Sequence, residues 1–260
     1  MGRSVAYRKR APYARRVCAE KPQAGLSPDA YDAGWESWND MIRFSPAPWH
    51  RRRLIARMAR SLRFASVLDV GCGNAETLTH LSQHFDCELW GVDLSPAVIA
   101  RNRQRLPGIE FRTLDLEAGA LERRFDLVVC SEVLEHCTDP QRALEHLRRM
   151  SASHLIVTVP SGPILPIDRA MGHLRHYHPA SLSEALEGSG FRVVKLLRWG
   201  FPFHSAYKVA INLRPEQTLR GFAGGDYGRG KKAMGLLLRG LFHLNLPGVG
   251  RQLVALARVA

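Results

Sequence analysis

A short apolar strand that ends in a glycine turn constrains the fold more than any other part of the chain. Residues 67–73 have the sequence Val-Leu-Asp-Val-Gly-Cys-Gly, in which Asp69 precedes Gly71 and Gly73. Glycine adopts positive φ angles at little cost, and its lack of a Cβ lets the backbone approach a ligand closely. The pattern predicts a buried strand that turns sharply into a helix beside a nucleoside-binding crevice.

An acidic residue after the next strand supports the same interpretation. Asp93 follows the predicted strand Glu88–Val92 and lies 22 residues after Gly71. An acid at about this spacing accepts hydrogen bonds from ribose in nucleotide-binding α/β folds. Glu76 stands where the dinucleotide fingerprint has its third glycine, which argues against a nicotinamide oxidoreductase. The alternative for the glycine turn taken alone is a tight turn without a ligand.

Further motifs follow in order along the chain. Asp115 lies in the predicted segment Phe111–Leu116, residues 125–136 have the sequence Phe-Asp-Leu-Val-Val-Cys-Ser-Glu-Val-Leu-Glu-His, and residues 176–179 are His-Tyr-His-Pro. With the glycine turn, these motifs resemble the class I S-adenosylmethionine-dependent methyltransferases, in their small-molecule, ubiquinone-methyltransferase-like branch. The resemblance covers residues 54–194.

The resemblance implies an α/β fold with a Rossmann-like, seven-stranded, mostly parallel, doubly wound sheet. N-terminal cap helices and a helical insertion before the last strand complete this expected fold. The implied domain bounds are a flexible basic arm over 1–30, cap helices over 31–62, the methyltransferase core over 63–199, a basic and apolar insertion or lid over 200–250, and the last strand over 251–260.

The resemblance also implies S-adenosyl-L-methionine as the cofactor. The glycine turn is expected to contact its methionyl part and ribose, Asp69 its amino group, Asp93 the ribose hydroxyls, and Asp115 the adenine. The implied cofactor-binding residues are Asp69, Gly71, Cys72, Gly73, Asp93, Leu94, Asp115, Leu116, Ser131 and Glu132.

Methyl transfer needs a base only when the acceptor arrives protonated, as a hydroxyl does. Histidine is the usual base near neutral pH. His136 and His176 are the predicted catalytic residues, with His173 and His178 as alternatives, because they follow strands at the carboxyl edge of the expected sheet. A purely structural role is the competing interpretation for each histidine, and no metal site is predicted.

The net charge of +13 is unevenly distributed. Residues 1–60 carry 13 basic and 5 acidic side chains, residues 61–197 carry 14 and 17, and residues 198–260 carry 10 and 2. The expected catalytic core is therefore mildly acidic, and the excess positive charge lies on its two flanks. These flanks are the parts of the expected fold that select the acceptor.

The two flanks also hold the predicted entrance and lid. In the N-terminal flank, Trp35, Trp38, His50 and Arg51 are candidates for the entrance of the crevice. In the C-terminal flank, the basic stretch Gly221–Lys232 precedes the apolar segment Ala233–Leu246. Basic residues beside an apolar helix favour a membrane interface. The insertion is therefore predicted to be either a covering subdomain or a lid that contacts a lipophilic acceptor or the inner membrane surface.

The cysteines bear on the compartment. The chain has five, with no Cys-x-x-Cys pair, which favours reduced thiols in the cytoplasm. No apolar run reaches the roughly 20 residues that span a bilayer. The predicted localisation is cytoplasmic, with peripheral membrane contact as the further hypothesis.

The leading hypothesis is transfer of a methyl group to an oxygen of a small-molecule or lipid-linked acceptor, of the natural-product, glycan or quinone type. One alternative is an RNA-directed methyltransferase that uses the basic flanks, although no aromatic stacking motif supports it. Another alternative is a non-catalytic partner protein that keeps the fold. The sequence leaves the acceptor and the oligomeric state open.

Overall fold

The computed structural model describes residues 43–222 and 227–260. The basic arm expected over 1–30 and the entrance candidates Trp35 and Trp38 lie outside these residues. The strands are β1 (Ser66–Val70), β2 (Glu88–Asp93), β3 (Glu110–Thr113), β4 (Phe125–Ser131), β5 (Ser151–Pro160), β6 (Phe191–Phe201), β7 (Leu246–Pro247) and β8 (Gln252–Val259). The helices are α1 (Pro46–Ala59), α2 (Glu76–Ser82), α3 (Pro96–Arg105), α4 (Pro140–Met150), α5 (Pro166–Ala170), α6 (Pro179–Gly188), α7 (Phe203–Asn212), α8 (Pro215–Phe222) and α9 (Arg229–Phe242).

The described strands form one sheet in the order β3-β2-β1-β4-β5-β8-β6-β7. Strands β1 to β5 pair in parallel, and β8 pairs antiparallel with both β5 and β6. The strand order reverses between β1 and β4, which is where open α/β sheets bind ligands at the carboxyl ends of their strands. The predicted mostly parallel α/β sheet is confirmed.

One difference from the predicted seven strands is the two-residue strand β7. The expected core ends at residue 199, but the strand β6 continues to Phe201. This extension lets Trp199 and Phe201 pair with residues 246–247 of the insertion. The eighth strand therefore arises from a long-range pairing that no local pattern signals.

Alternate residues of the central strands face two separate apolar layers. Val67 packs with buried residues of α1, α2 and α3, whereas its neighbour Leu68 packs with buried residues of α4 and α6. In the same way, Leu127 of β4 packs in the layer of Val67, and Val128 packs in the layer of Leu68. Helices on both faces bury these strands completely, which explains their continuous apolar sequence and confirms the doubly wound arrangement.

Two helices begin where their sequence signals place them. The Ser95 hydroxyl accepts a hydrogen bond from the backbone N–H of Val98 at 3.1 Å, and the Asp139 carboxylate accepts one from that of Arg142 at 3.0 Å. A proline follows each of these capping residues. Such caps satisfy backbone donors that a helix leaves unpaired, so α3 begins directly after Ser95 and α4 directly after Asp139.

The predicted insertion contains α7, α8, α9 and β7, and it packs against the N-terminal helix α1. His50 of α1 is 5% exposed, stacks on Trp199 and lies with Nε2 3.0 Å from the carbonyl oxygen of Arg239. His50 is therefore a packing residue between the two flanks and not part of an exposed entrance. No helix among residues 43–222 and 227–260 is long and apolar enough to cross a bilayer.

The contact between Gly91 and Phe111 gives a test of the sheet. These residues are paired across β2 and β3, and a Cβ on Gly91 would lie 2.7 Å from Cε1 of the buried Phe111. We expect Gly91→Ala to lower the free energy of unfolding by about 1–3 kcal/mol, because the overpacked ring has to shift. Urea unfolding followed by circular dichroism measures this change.

Gly108→Ala is the matched control, since nothing lies within 4 Å of a Cβ at that position. Its free energy of unfolding should stay within about 0.5 kcal/mol of the wild-type value. Equal stability of the two variants would contradict the close approach of β2 and β3.

Candidate active site

The glycine turn lies at the carboxyl end of β1 and brings the backbone against the segment that follows β4. Gly71 has φ 71°, in the left-handed region, and a Cβ there would lie 2.4 Å from Cγ2 of Val133. The backbone N–H groups of Gly71 and Cys72 both donate to the carbonyl oxygen of Val92, at 2.8 and 2.9 Å. A larger residue at position 71 would therefore displace Val133 or break the turn.

Asp93 at the end of β2 holds this turn in place. Its Oδ2 accepts a hydrogen bond from the Gly73 N–H at 2.9 Å, and its Oδ1 accepts one from the Ser95 N–H at 3.0 Å. The Asn102 side-chain amide donates to the Gly73 carbonyl oxygen at 2.7 Å. Asp93 is only 3% exposed, so one buried carboxylate orients the loops after β1 and β2.

Asp69 lies within β1, where it is almost completely enclosed. The side chain is 2% exposed. Burial, with a smaller contribution from the charge of Asp93, raises the pKa of Asp69 to about 8. The carboxyl group is therefore mostly protonated at neutral pH until a cation approaches it.

Two adjoining cavities open at this edge of the sheet, each of about 260 Å³. We call the first the histidine cavity, because His136, His173 and His204 line it. We call the second the Asp115 cavity after one of its lining residues. Gly71, Val133 and His136 line both, so the two cavities share a narrow wall.

Most of the cofactor-binding residues that the sequence predicts line one or both of these cavities, and His136 lines both. The histidine cavity is lined by Asp69, Gly71, Cys72, Ser131, Glu132 and His136. The Asp115 cavity is lined by Gly71, Asp93, Leu94, Asp115, Leu116 and His136. Gly73 completes the turn through its bond to Asp93. His176 reaches the histidine cavity through a hydrogen bond to His173.

Glu132 is held in an uncommon backbone conformation. Its φ is 59°, and its N–H donates to the Thr158 carbonyl oxygen at 2.9 Å. Its Oε1 accepts hydrogen bonds from the Thr158 hydroxyl at 3.0 Å and from Gln252 Nε2 at 2.7 Å, and its Oε2 lies 3.4 Å from Arg51. Burial favours a higher pKa for Glu132, but Arg51 and the hydrogen bonds outweigh it and lower this pKa. Glu132 is thus an ionised anchor for Arg51 in the cavity wall.

Three histidines form a connected group beside this anchor. The rings of His136 and His173 are 4.8 Å apart between centroids, and His173 Nδ1 lies 3.0 Å from His176 Nε2. Burial is the largest cause that lowers the pKa of each, and it brings the pKa of His173 to about 3. These side chains are therefore neutral imidazoles at pH 7.

The insertion and α5 contribute a pair that the sequence analysis missed. Lys208 Nζ lies 3.0 Å from Asp168 Oδ1, and His176 Nε2 lies 3.7 Å from Asp168 Oδ2. Asp168 Oδ2 also accepts a hydrogen bond from the Leu165 N–H at 3.0 Å. Asp168 and Lys208 belong to no motif, and only the folded chain brings them together.

Glu135 lies in the motif over residues 125–136, and the sequence predicts no role for it. It is 0% exposed, and neither of its carboxylate oxygens has a hydrogen-bond partner within the described part of the chain. Burial and then the charge of Glu132 raise the pKa of Glu135 well above its usual value. A buried carboxyl without partners is costly.

Comparison with known proteins gives the same fold and identifies the family. Residues 46–196 match the family model described as "Methyltransferase domain". The N-methyltransferase NodS of Bradyrhizobium japonicum WM9, crystallised with S-adenosyl-L-homocysteine, superposes with a TM-score of 0.57 at 18% identity, covering 88% of this chain and 97% of NodS. This likeness concerns the fold.

Two curated relatives match at the sequence level. The ubiquinone biosynthesis O-methyltransferase of Coxiella burnetii (strain Dugway 5J108-111) is 27% identical over 166 residues, which are 55% of this chain and 70% of that enzyme. The ajmaline N-methyltransferase of Rauvolfia serpentina is 26% identical over 159 residues, and the match covers 50% of this chain and 55% of that enzyme. The chain therefore belongs to the methyltransferase-domain family, as a class I methyltransferase of small-molecule type whose cofactor is S-adenosyl-L-methionine.

Proposed function

We propose that the chain transfers a methyl group to an oxygen atom of a small-molecule or lipid-linked acceptor. The observation that carries this proposal is the pair of adjoining cavities that share Gly71, Val133 and His136. One cavity has acids suited to a nucleoside, and the other has neutral histidines suited to an acceptor. A donor and an acceptor bound in these cavities would meet at the shared wall.

The Asp115 cavity fits the nucleoside end of S-adenosylmethionine. Asp93 and Asp115 supply oxygen acceptors for the ribose hydroxyls and the adenine amino group, and Leu94 and Leu116 supply apolar surface. The turn at Gly71 allows the methionyl part to continue into the histidine cavity. The bound cofactor supplies a methyl carbon activated by a sulfonium. The protein then needs mainly to align the acceptor and to exclude water.

His136 is the proposed base for the acceptor. Its Nδ1 lies 3.2 Å from the Gly172 carbonyl oxygen, which can only accept, so this nitrogen carries the proton. The other ring nitrogen, Nε2, can accept the proton of a hydroxyl. His176 is the proposed positioning residue, because it reaches the cavity only by its hydrogen bond to His173.

Similarity to the ubiquinone-biosynthesis enzyme supports oxygen as the acceptor atom and a quinone-type acceptor. The ajmaline relative is named for methylation at nitrogen, so similarity alone does not select oxygen over nitrogen. The neutral histidines, which can accept the proton of a hydroxyl, are the second support for oxygen. Ser131 and Glu132, which line the histidine cavity, are proposed to lie beside the methionyl end of the cofactor.

The surface of the insertion supports an acceptor carried in a lipid phase. Nine of the eleven exposed large apolar side chains in the described residues lie between Phe201 and Val249. Lys231 and Arg229 precede the apolar face of α9. The same insertion lines the histidine cavity through Tyr207 and Lys208 of α7. A basic and apolar surface beside an acceptor cavity fits the interface of an anionic membrane.

Asp93→Ala tests the donor site and the reaction together. We expect the wild-type protein to bind S-adenosylhomocysteine and to methylate a phenol with an isoprenoid chain, but not the matched aniline. Asp93→Ala should lose roughly 100-fold or more in binding, because the carboxylate both shapes the turn and faces the nucleoside. Calorimetry and transfer of a radiolabelled methyl group measure the two effects.

Asp86→Ala is the matched control, since Asp86 is an exposed acid on the loop before β2. It should bind and react as the wild type does. Unchanged binding in Asp93→Ala would refute the ribose assignment, and methylation of the aniline in preference to the phenol would refute the oxygen assignment.

Because the pKa of Asp69 is raised, we expect the protein to release a proton when the donor binds. Its pKa of about 8 in the free protein should fall when the ammonium group of S-adenosylhomocysteine lies beside it. At pH 7 binding should release close to one proton, and the release should shrink above pH 8, where Asp69 is already ionised. Calorimetry in buffers of different ionisation enthalpy counts the protons. Asp69→Asn should abolish the release, and a buffer-independent heat in the wild type would contradict the assignment.

The exposed face of α9 predicts binding to anionic vesicles. Leu236 and Leu237 are 62% and 60% exposed, and we expect the double change of both to Glu to weaken co-sedimentation with phosphatidylglycerol vesicles by about 10-fold or more. Phosphatidylcholine vesicles should bind less protein than anionic ones.

Val194→Glu is the control for this surface, because Val194 is 55% exposed but lies on β6, outside the insertion. It should bind vesicles as the wild type does. Equal binding by the Leu236/Leu237 variant would overturn the membrane assignment. A wild-type dimer that the same variant dissociates, with no vesicle binding, would assign the surface to a second copy of the chain.

A further inference from the structure

Cationic side chains from α1 and α9 meet over two aromatic rings. The guanidinium carbons of Arg53 and Arg239 lie 4.7 and 5.4 Å from the centre of the Trp49 ring. Beside them, Lys232 Nζ lies 4.8 Å from the centre of the Phe44 ring. These distances are within the roughly 6 Å over which a cation is attracted to an aromatic face. With two neighbours these residues form the basic patch, which comprises Arg43, Phe44, Trp49, Arg53, Lys232, Arg239 and His243.

Backbone contacts hold the two halves of the basic patch together. Arg239 Nη2 donates to the carbonyl oxygen of Arg43 at 2.6 Å, and the Arg239 carbonyl oxygen lies 3.0 Å from Nε2 of the buried His50. A Cβ on Gly235 would lie 2.8 Å from the Phe44 carbonyl oxygen, so α9 approaches this part of the chain without an intervening side chain. The relative positions of Arg43 and Arg239 are therefore set by packing and do not depend on an opposite charge.

No carboxylate neutralises the basic patch within the described residues. The ion pairs in residues 43–222 and 227–260 do not include Arg43, Arg53, Lys232 or Arg239. Arg53 Nη1 instead lies 2.9 Å from His243 Nε2. Burial, and then the charge of Arg53, lower the pKa of His243, so its ring is neutral at pH 7. A guanidinium can only donate, so His243 Nε2 accepts and the other ring nitrogen carries a proton. The patch therefore presents positive charge and N–H donors.

Arg239 is the cation in the least favourable setting. Its Nε is buried and has no hydrogen-bond partner in the described part of the chain. Burial lowers the pKa of Arg239, because the charged form loses contact with water. Arg53 stands over the same Trp49 ring, and like charges held this close repel each other. An anion bound between the two guanidinium groups would relieve both costs.

Exposure distinguishes the basic patch from an ordinary packing contact. Arg43, Arg53 and His243 are exposed, so a ligand can reach them from solvent. Arginines that keep a helix face solvated have another setting. Arg57 and Arg60 are exposed at the C-terminal end of α1, and neither lies over an aromatic ring of the described residues. Arg53, unlike these two, is held in place by a ring and by a hydrogen bond.

We propose that the basic patch binds a phosphate group. Arginine binds phosphate through pairs of parallel N–H bonds, and a phosphate offers more acceptor oxygens than a carboxylate does. Donors from Arg53, Arg239 and His243 around one tryptophan ring fit several of these oxygens at once. The phosphate is carried by a phospholipid headgroup or by a soluble phosphate monoester, which share this chemistry.

The inference goes beyond the proposed function, because no residue of the basic patch lines the histidine cavity or the Asp115 cavity. The helix α1 nevertheless lines the histidine cavity through Pro48 and Arg51. A phosphate that joins Arg53 of α1 to Arg239 of α9 would fasten the two flanks of the chain together. Bound phosphate should therefore raise the thermal midpoint of unfolding.

Titration of the full chain with glycerol 3-phosphate and, separately, with phosphatidylglycerol vesicles tests the proposal. Trp49 lies in the patch, so the wild type should show a saturable change in tryptophan fluorescence that Trp49→Phe lacks. Each arginine beside a phosphate strengthens binding roughly 5-fold. We therefore expect Arg53→Gln to bind roughly 5-fold more weakly, and the double variant with Arg239→Gln roughly 25-fold more weakly. Wild-type affinity in the double variant would overturn the proposal.

The double variant Arg57→Gln with Arg60→Gln is the matched control, because it removes the same two charges from outside the basic patch. It should bind both probes about as tightly as the wild type. Equal losses in the two double variants would show a general attraction between charges and refute a specific site. If thermal unfolding shows that the Arg53/Arg239 variant is not folded, Arg53→Gln alone decides, because it changes an exposed side chain.

The two probes distinguish the sources of the phosphate. Saturation with glycerol 3-phosphate assigns a soluble ligand, saturation with the vesicles alone assigns a headgroup, and saturation with neither shows that the proposal is wrong. S-adenosylhomocysteine calorimetry on the same samples tests the proposed function separately. If that ligand binds and neither phosphate probe does, the phosphate inference fails alone. If a phosphate probe binds and that ligand does not, the proposed function fails alone.

Discussion

The buried carboxylate of Asp93 is the interaction on which the site depends. It joins the loop after β1 to the start of α3 by bonds to the Gly73 and Ser95 N–H groups. Such charge-assisted bonds are short and strong in a low-dielectric interior. The parallel strands β1 and β2 end at the same edge of the sheet. The Asp93 carboxylate therefore fixes the connections that follow these two strands relative to each other, and together they form one rim. The turn at Gly71 and the Asp115 cavity are positioned by that rim.

The histidine cavity, in which we propose that the acceptor binds, is formed by contacts of a different kind. Arg51 of α1, Gln252 of β8 and Lys208 of the insertion all bring charge or hydrogen bonds to carboxylates at the sheet edge. Each of these partners comes from a part of the chain outside the central parallel strands. Packing of His50 on Trp199 fixes the N-terminal helix against the insertion. The shape of the histidine cavity therefore depends on how the two basic flanks pack together.

The central sheet and the donor side were predictable because their signals are local. Apolar runs mark the buried parallel strands, and the caps at Ser95 and Asp139 mark the starts of α3 and α4. The donor residues fall in continuous motifs, although their assignment to the cofactor remains a prediction. The contacts that shape the histidine cavity were not predictable, because they join residues distant in sequence: Glu132 and Gln252 are 120 residues apart. The extension of β6 to Phe201, beyond the expected end of the core at residue 199, was not predictable for the same reason, since it depends on pairing with β7.

The contact of Gly71 with Val133 has a consequence for the range of substrates. A nucleoside ligand that occupies both cavities has to pass between Gly71 and Val133. The covalent length of the ligand then determines how far its reactive carbon extends into the histidine cavity. In the proposed mode of binding, the protein and the donor together therefore set the position of the reactive carbon, without any contribution from the acceptor. Changes in α1 and the insertion would reshape the histidine cavity, which both segments line, but would leave the Asp115 cavity, which neither of them lines, unchanged.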